Sequence, residues 1–188
     1  MDDVSEFIKV AIRYPLLTQE QEIQLGRRIQ AWLKNPDPTA AQIKSGQRAR
    51  EHFVCCNLRL VIAVAKKYQR RIAGGHLAFA DILQEGVVGL QRAAEKYDPE
   101  SGYKMSTYAY WWIRQAISRA IETKSNMIRI SADSKRKLHR FREAATQGGT
   151  TQEILMRAGL RDKDLHFVEQ AQQCIIVHCT DDISMLDI

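Results

Sequence analysis

The sequence predicts an all-α protein. Three observations carry that expectation. Apolar residues recur at helical spacing through most of the chain. Breakers come in short clusters, at Asn35-Pro36-Asp37-Pro38, Gly74-Gly75, Asp98-Pro99-Glu100-Ser101-Gly102 and Gly148-Gly149. Thr18-x-x-Gln21 and Thr150-x-x-Glu153 have the form of capping boxes, in which a hydroxyl and a longer acceptor satisfy each other's backbone donors at a helix start.

Taken in order, Asp3 to Ala11 reads as a short amphipathic helix that ends before Tyr14-Pro15, because the residue preceding a proline resists the helical conformation. Thr18 opens a second helix, with Glu20 and Glu22 at the positive end of its dipole and Ile23, Leu25, Ile29 and Leu33 as its apolar side. Thr39 caps a third segment, which the pattern carries from Ala40 to about Arg71 as one long helix. Its second half, from Asn57 to Tyr68, is apolar nearly all round and requires burial by several neighbours. Asp81 to Tyr97 follows, with Leu83, Gly86, Leu90, Ala94 and Tyr97 on one side and Asp81, Gln84, Glu85 and Val88 opposite. Gly86 and Gly89 each cost about 1 kcal/mol inside a helix, so close approach of another backbone is their expected reason. A helix then runs to about Lys124. Met127 to Ile130 is a connector, and a basic helix reaches Arg142. The last pair runs from Thr150 to Ala158, ended by Gly159, and from an Asp162 cap to about Gln172. Ile175 to Cys179 is expected extended or docked.

The net charge of +6 is modest, but its distribution is uneven. Between Tyr103 and Arg142 ten Lys/Arg face two acidic residues, whereas Asp181, Asp182 and Asp187 make the extreme C-terminus acidic. A basic block beside aromatics points to nucleic acid, since neutralising phosphates releases counterions. Cys55 and Cys56 are adjacent, Cys174 and Cys179 form no CxxC, and the five histidines are scattered, so neither a metal nor a cofactor is expected. The thiols read as reduced and inert, as in an intracellular protein. The chain opens without a basic n-region or apolar core, and its best apolar run, Leu58 to Ala65, contains Arg59 and is too short to span a bilayer.

The most informative stretch is Tyr103 to Arg119, which holds five aromatics and three cations. Ile113, Ala116, Ile117, Ala120 and Ile121 make the stripe of a core-facing side. At about 100° per residue, Trp111, Gln115 and Ser118 fall on the opposite side. A tryptophan and an amide flanked by Arg114 and Arg119 are unsuited to a merely solvated face. They suit stacking on bases and bonding to their edges.

Several of these motifs together resemble one family. Asn57-Leu-Arg-Leu-Val, Asp81-Ile-Leu-Gln-Glu-Gly86, Gly89-Leu90, Tyr103-Lys104 and the run from Ser106 to Arg119 are similar, in order and spacing, to the second domain of bacterial sigma factors of the primary and primary-like classes. Pro15 to Glu22 resembles the segment preceding that domain, and Ile128-Arg129-Ile130 its end. The resemblance implies an all-α chain with a helical second domain over 1–130, a small three-helix third domain over 131–173 and the start of a flexible linker over 174–188. It implies docking of Asp81, Gln84 and Glu85 on a coiled coil of the largest catalytic subunit of core RNA polymerase, in the bacterial cytoplasm. Tyr97, Asp98, Ser101, Tyr108, Tyr110 and Trp111 would form the pocket for a base flipped from the non-template strand of the promoter −10 element, with Trp111 and Trp112 as a wedge. Asn57, Leu60 and Ser106 would line a second base pocket. Gln115 and Ser118 would read the upstream paired position, and Lys104, Arg114 and Arg119 would hold phosphates. An anti-sigma protein is a further partner that the resemblance admits.

The chain departs from the family pattern at several positions. Tyr110 stands for a common small polar residue and is expected to narrow the pocket. Val87 stands for asparagine, Met105 for an aromatic, Ser118 for threonine and Ser131 for proline. The family's fourth, −35-reading domain is expected to be missing from this chain, which reads as a fragment in preference to a naturally short factor. No catalytic constellation is apparent, and an enzyme is not expected. The alternatives are an autonomous helix-turn-helix regulator using Thr150 to Gln172 and a protein-interaction module anchored by Trp111.

Overall fold

A computed structural model of the protein describes residues 2–72, 77–125 and 130–180, with side chains over 3–72, 77–125 and 130–172. Among these residues lie ten helices and no strand. They are α1 (Asp2–Arg13), α2 (Gln19–Leu33), α3 (Ala40–Cys56), α4 (Leu58–Lys66), α5 (Gln69–Ile72), α6 (Phe79–Lys96), α7 (Met105–Lys124), α8 (Ala132–Ala145), α9 (Thr151–Ala158) and α10 (Asp162–Thr180). The chain divides into two units between Ile121 and Glu122, near the end of α7. The Gly74-Gly75 break, the Ile128-Arg129 stretch and the acidic C-terminal residues lie outside the described residues, as do the side chains of Cys174 and Cys179.

In the first unit Ile29, Phe53, Val61, Ile82, Leu83, Leu90, Met105, Ile113 and Ile117 are fully buried in one core. Local chemistry starts α2 and α3 where the sequence indicates. Thr18 and Gln21 form the predicted capping box, and Thr39 and Gln42 form another. The apolar side of α2 differs from the expected one. Glu22, Leu25, Gly26 and Ile29 face inward, while Leu33 is exposed.

The expected long helix from Ala40 breaks at Asn57. Its backbone leaves the helical well at φ −105°, ψ 6°, and its side-chain amide donates to the Phe53 carbonyl at 2.9 Å. A short polar side chain thus takes the place of a backbone donor and lets the chain turn into α4. A second tightening at Lys67 and Tyr68 separates α4 from α5.

Helices α6 and α7 cross at Gly89. A Cβ there would stand 2.7 Å from the Trp112 carbonyl oxygen and 2.8 Å from the Ala116 Cβ, so the two helices approach as only glycine allows. The predicted stripe of α7 faces this core, with Ile113, Ile117, Ala120 and Ile121 buried.

The second unit has its own core of Ile130, Leu138, Ala144, Leu155, Ala158, Leu160, Val168 and Ala171. Thr150 and Glu153 make the predicted capping box of α9. At α10 the expected cap, Asp162, is displaced by Asp164, whose carboxylate accepts the Arg161 N–H at 3.0 Å and the Lys137 ammonium at 2.9 Å. The α10 backbone stays helical to Thr180, past the expected end at Gln172 and through the stretch expected to be extended. Nothing in Ala171 to Thr180 is a glycine or proline that would stop it.

Candidate nucleic-acid interface

The site grows from the turn between α6 and α7. At Tyr97 the backbone becomes extended (φ −64°, ψ 128°), which ends α6 one residue before the predicted bound. The Asp98 carboxylate accepts the Glu100 N–H at 3.0 Å, and the Ser101 hydroxyl donates to the Asp98 carbonyl at 2.7 Å. Gly102, at φ 75°, reverses the chain in a conformation that side chains disfavour. The Tyr97 ring is 2% exposed, and its hydroxyl donates to the Tyr103 carbonyl at 2.8 Å. Burial pushes the Tyr97 phenol up, and the nearby charges of Glu22 and Asp98 add to the effect, so it stays a donor.

Around this turn opens a pocket of about 510 Å³, lined by Lys96, Tyr97, Asp98, Ser101, Tyr103, Thr107, Tyr108 and Trp111. Its walls are mainly aromatic. Tyr97 and Tyr108 lie with centroids 6.2 Å apart, and Trp111 projects from α7 with 61% of its surface exposed. Five predicted pocket residues therefore meet here, namely Tyr97, Asp98, Ser101, Tyr108 and Trp111. Tyr110 does not join them. Two residues from Tyr108 on a helix means a rotation of about 200°, which turns Tyr110 toward the end of α4, under the Lys67 ammonium at 5.3 Å. Lys96, Tyr103 and Thr107 line the pocket as well, although the sequence reading gives none of them a pocket role. Thr107 was legible as the i−4 neighbour of Trp111, but Lys96 and Tyr103 reach the pocket only through the turn.

The turn is held from behind by α2. The Glu22 carboxylate, 9% exposed, accepts the buried Met105 N–H at 3.1 Å and so caps the start of α7 from a remote helix. The Gln30 amide donates to the carbonyls of Glu95 and Tyr97, both at 3.0 Å, closing the end of α6. The exposed Arg27–Glu100 pair adds little by comparison, since solvent screens it. A carboxylate three and seven positions before Leu25 and Ile29, on the buried stripe, was the available sign that Glu22 has a polar partner in the core.

Along α7 the aromatics are covered by cations. Arg114 lies over Trp111 at 5.4 Å and Lys96 over Trp112 at 5.1 Å, while Trp112, half-buried, also packs on Tyr108. Gln115 is exposed in a small hollow with Gly89, Arg92, Trp112, Ala116 and Arg119. Ser118 was expected on the same open face. Instead it is half-buried, and its hydroxyl bonds the Tyr68 hydroxyl at 3.3 Å, because α7 leans that flank on the α4–α5 junction. Lys104, Ser106, Arg114 and Arg119 are exposed, and Leu60 is half-buried in the wall of the core. Asn57 is half-buried at the α3–α4 break, with its amide already donating to Phe53.

The outer side of α6 presents Asp81, Gln84 and Val88 to solvent, with Glu85 half-exposed beside them. Asp81 has a local duty as well, accepting the Ala78 N–H at 2.9 Å at the start of α6. Cys56 is buried 3.7 Å from the His52 ring, and burial raises its thiol, which disfavours the reactive thiolate. Among the described residues no group of His, Cys, Asp and Glu could hold a metal ion, and no helix is long and apolar enough to cross a membrane.

Residues 53–126 match the family model described as Sigma-70 region 2, and residues 11–35 match Sigma-70 factor, region 1.2. The chain belongs to the sigma-70 family. It is 45% identical over 150 residues to RNA polymerase sigma factor SigA4 of Synechococcus elongatus, an alignment covering 76% of this chain and 47% of that protein. SigA2 of the same organism is 38% identical over 180 residues (81% and 54%), and SigA of a Nostoc species 34% identical over 206 (92% and 52%). The chain spans about half the length of these curated relatives. Within this sigma-70 chain the region 1.2 match contains α2 with Glu22 and Gln30, while the region 2 match contains α6, α7 and the pocket. The two matched regions therefore meet at the turn. The α9–α10 hairpin lies beyond both matches.

Proposed function

We propose that this chain is the part of an RNA polymerase sigma factor that binds the core enzyme and opens the promoter −10 element by capturing an unstacked non-template base. The observation that carries this reading is the aromatic pocket at the α6–α7 turn, roomy enough for one nucleobase and bordered by Asp98 and Ser101 as polar partners. Stacking on aromatic side chains contributes about 1–3 kcal/mol per base, comparable to the few kcal/mol that unstacking one base costs. Capture can therefore drive strand opening without nucleotide hydrolysis.

In this reading Tyr97, Tyr108 and Trp111 receive the base, and Trp112 stands beside Trp111 as a wedge at the upstream edge. Lys104, Arg114 and Arg119 hold phosphates, which position the strand without specifying it. Gln115 reads the upstream paired position, and does so without Ser118, whose hydroxyl is held by Tyr68. Ser106, Asn57 and Leu60 take a second base. Asp81, Gln84 and Glu85 present an acidic and amide face that fits a basic coiled coil of the largest polymerase subunit.

The test is fluorescence anisotropy of a labelled non-template −10 oligonucleotide, consensus against scrambled, with and without core polymerase at one fixed salt concentration. Consensus-selective binding that requires polymerase is expected. Equal binding of both strands would reduce the site to a basic aromatic surface. Tight duplex binding without polymerase would favour an autonomous regulator.

A further inference from the structure

We propose that Tyr110 is a positioning residue that holds Trp111 ready for the incoming base, with Lys67 pinning Tyr110 from α4; the inference rests on the base-capture reading above. Neighbouring residues on a helix point about 100° apart and do not ordinarily face each other. Here the Tyr110 and Trp111 rings nevertheless meet edge to face, with centroids 5.5 Å apart and planes at 82°. That geometry is set by Tyr110, which is half-buried and packed against the core of the first unit, whereas Trp111 is 61% exposed. Lys67, at the tightened end of α4, places its ammonium 5.3 Å from the Tyr110 centroid, and Arg114 lies over Trp111 at 5.4 Å. The anchored ring thus fences the exposed one.

An exposed side chain without such contacts samples several rotamers and must be ordered when a ligand arrives. Ordering one rotamer-rich side chain on binding corresponds to about 2- to 12-fold in affinity. A small polar residue at position 110 would leave Trp111 with that loss. Tyr110 removes it in advance, and Lys67 keeps Tyr110 from swinging away. This accounts for a bulky ring at a position that does not line the pocket.

The experiment is a double-mutant cycle on consensus-strand binding by the chain with core polymerase. Tyr110→Ser is expected to weaken binding about 2- to 12-fold and Tyr110→Phe to leave it near wild type. In a Trp111→Ala background, Tyr110→Ser should then have no further effect. Full additivity of the two losses would overturn the proposal, because Tyr110 would then act independently of Trp111. A second measurement, fluorine NMR of the fluorotryptophan-labelled chain without DNA, reads Trp111 directly, its signal assigned by loss in Trp111→Ala. Tyr110→Ser should move that signal toward the position of a solvent-averaged ring, and Tyr110→Phe should not. An unmoved signal in Tyr110→Ser would likewise overturn the proposal. If Trp111→Ala leaves strand binding intact, base capture fails as a reading, while the fluorine signal still decides whether Tyr110 positions Trp111.

Discussion

Glu22 shows how one side chain can govern a site that it does not line. Its carboxylate supplies the acceptor for the buried Met105 N–H, at the positive end of α7. Removing a charged partner from a buried donor costs about 1–3 kcal/mol. Glu22→Ala should lower stability by that amount and Glu22→Gln by less, in urea unfolding followed by tryptophan emission. Wild-type midpoints for both would show that α7 does not need this cap. Trp111 tests the opposite property, a residue that matters to binding and little to folding. With 61% of its surface exposed, Trp111→Ala should leave the unfolding midpoint almost unchanged. Strand binding with polymerase should weaken about 5- to 150-fold, the equivalent of one lost stacking contact. At this scale the exposure of Trp111 was legible from helical spacing alone. The engagement of Ser118 by Tyr68 was not, because it depends on where another helix ends.

At the level of elements, α6 and α7 act as a pair joined at Gly89. Gly89→Ala forces a methyl against the Trp112 carbonyl and Ala116, and overpacking of this kind typically costs about 1–3 kcal/mol. The same change should disturb the pocket at the end of α6. Thermal unfolding together with strand affinity would check both; an unshifted melting temperature would mean that the helices separate freely. The outer face of α6 carries a different prediction. Asp81 accepts the Ala78 N–H, so reversing its charge damages the helix start as well as any docking surface. Gln84 is the cleaner probe. Gln84→Lys is expected to weaken polymerase binding by repulsion from a basic partner without changing the melting temperature, whereas Asp81→Lys should lower both. Retention of full polymerase binding by Gln84→Lys would return this face to the role of a solvated surface. The sequence read α6 well because its pattern is periodic and its glycines are conspicuous. It misread α3 as continuous through Asn57, where a single side-chain amide replaces a backbone donor within an otherwise helical pattern.

The described residues form two separate cores, and all three tryptophans lie in the first unit. Leu138→Ala, a deletion in the second core, should cost about 2–5 kcal/mol there. Methyl NMR signals of Val168 should then melt earlier while the tryptophan transition stays in place; a joint shift would mean that the units unfold together. The second unit should also respond to pH through Lys137, which bridges Asp133 at 2.8 Å and Asp164 at 2.9 Å. The Lys137 ammonium holds both carboxyls below the usual range, so their contribution is complete above that range and is lost as pH falls through the lowered values. The two carboxylates raise Lys137 in turn, and its contribution is lost only as pH rises through that raised value. Lys137→Met should flatten both limbs of a Val168-monitored stability profile; an unaltered profile would assign the pH response to other groups. The chain by itself determined the all-helical character, the capping boxes at Thr18 and Thr150, the buried stripe and exposed tryptophan of α7, and the sigma-70 resemblance, because each rests on residues a few positions apart. Only the tertiary structure decided that Glu22 caps a helix 83 positions away, that Tyr110 backs Trp111 outside the pocket, and that Ser118 is already engaged. Those contacts join segments that periodicity treats as independent, and they exist only once the helices have packed.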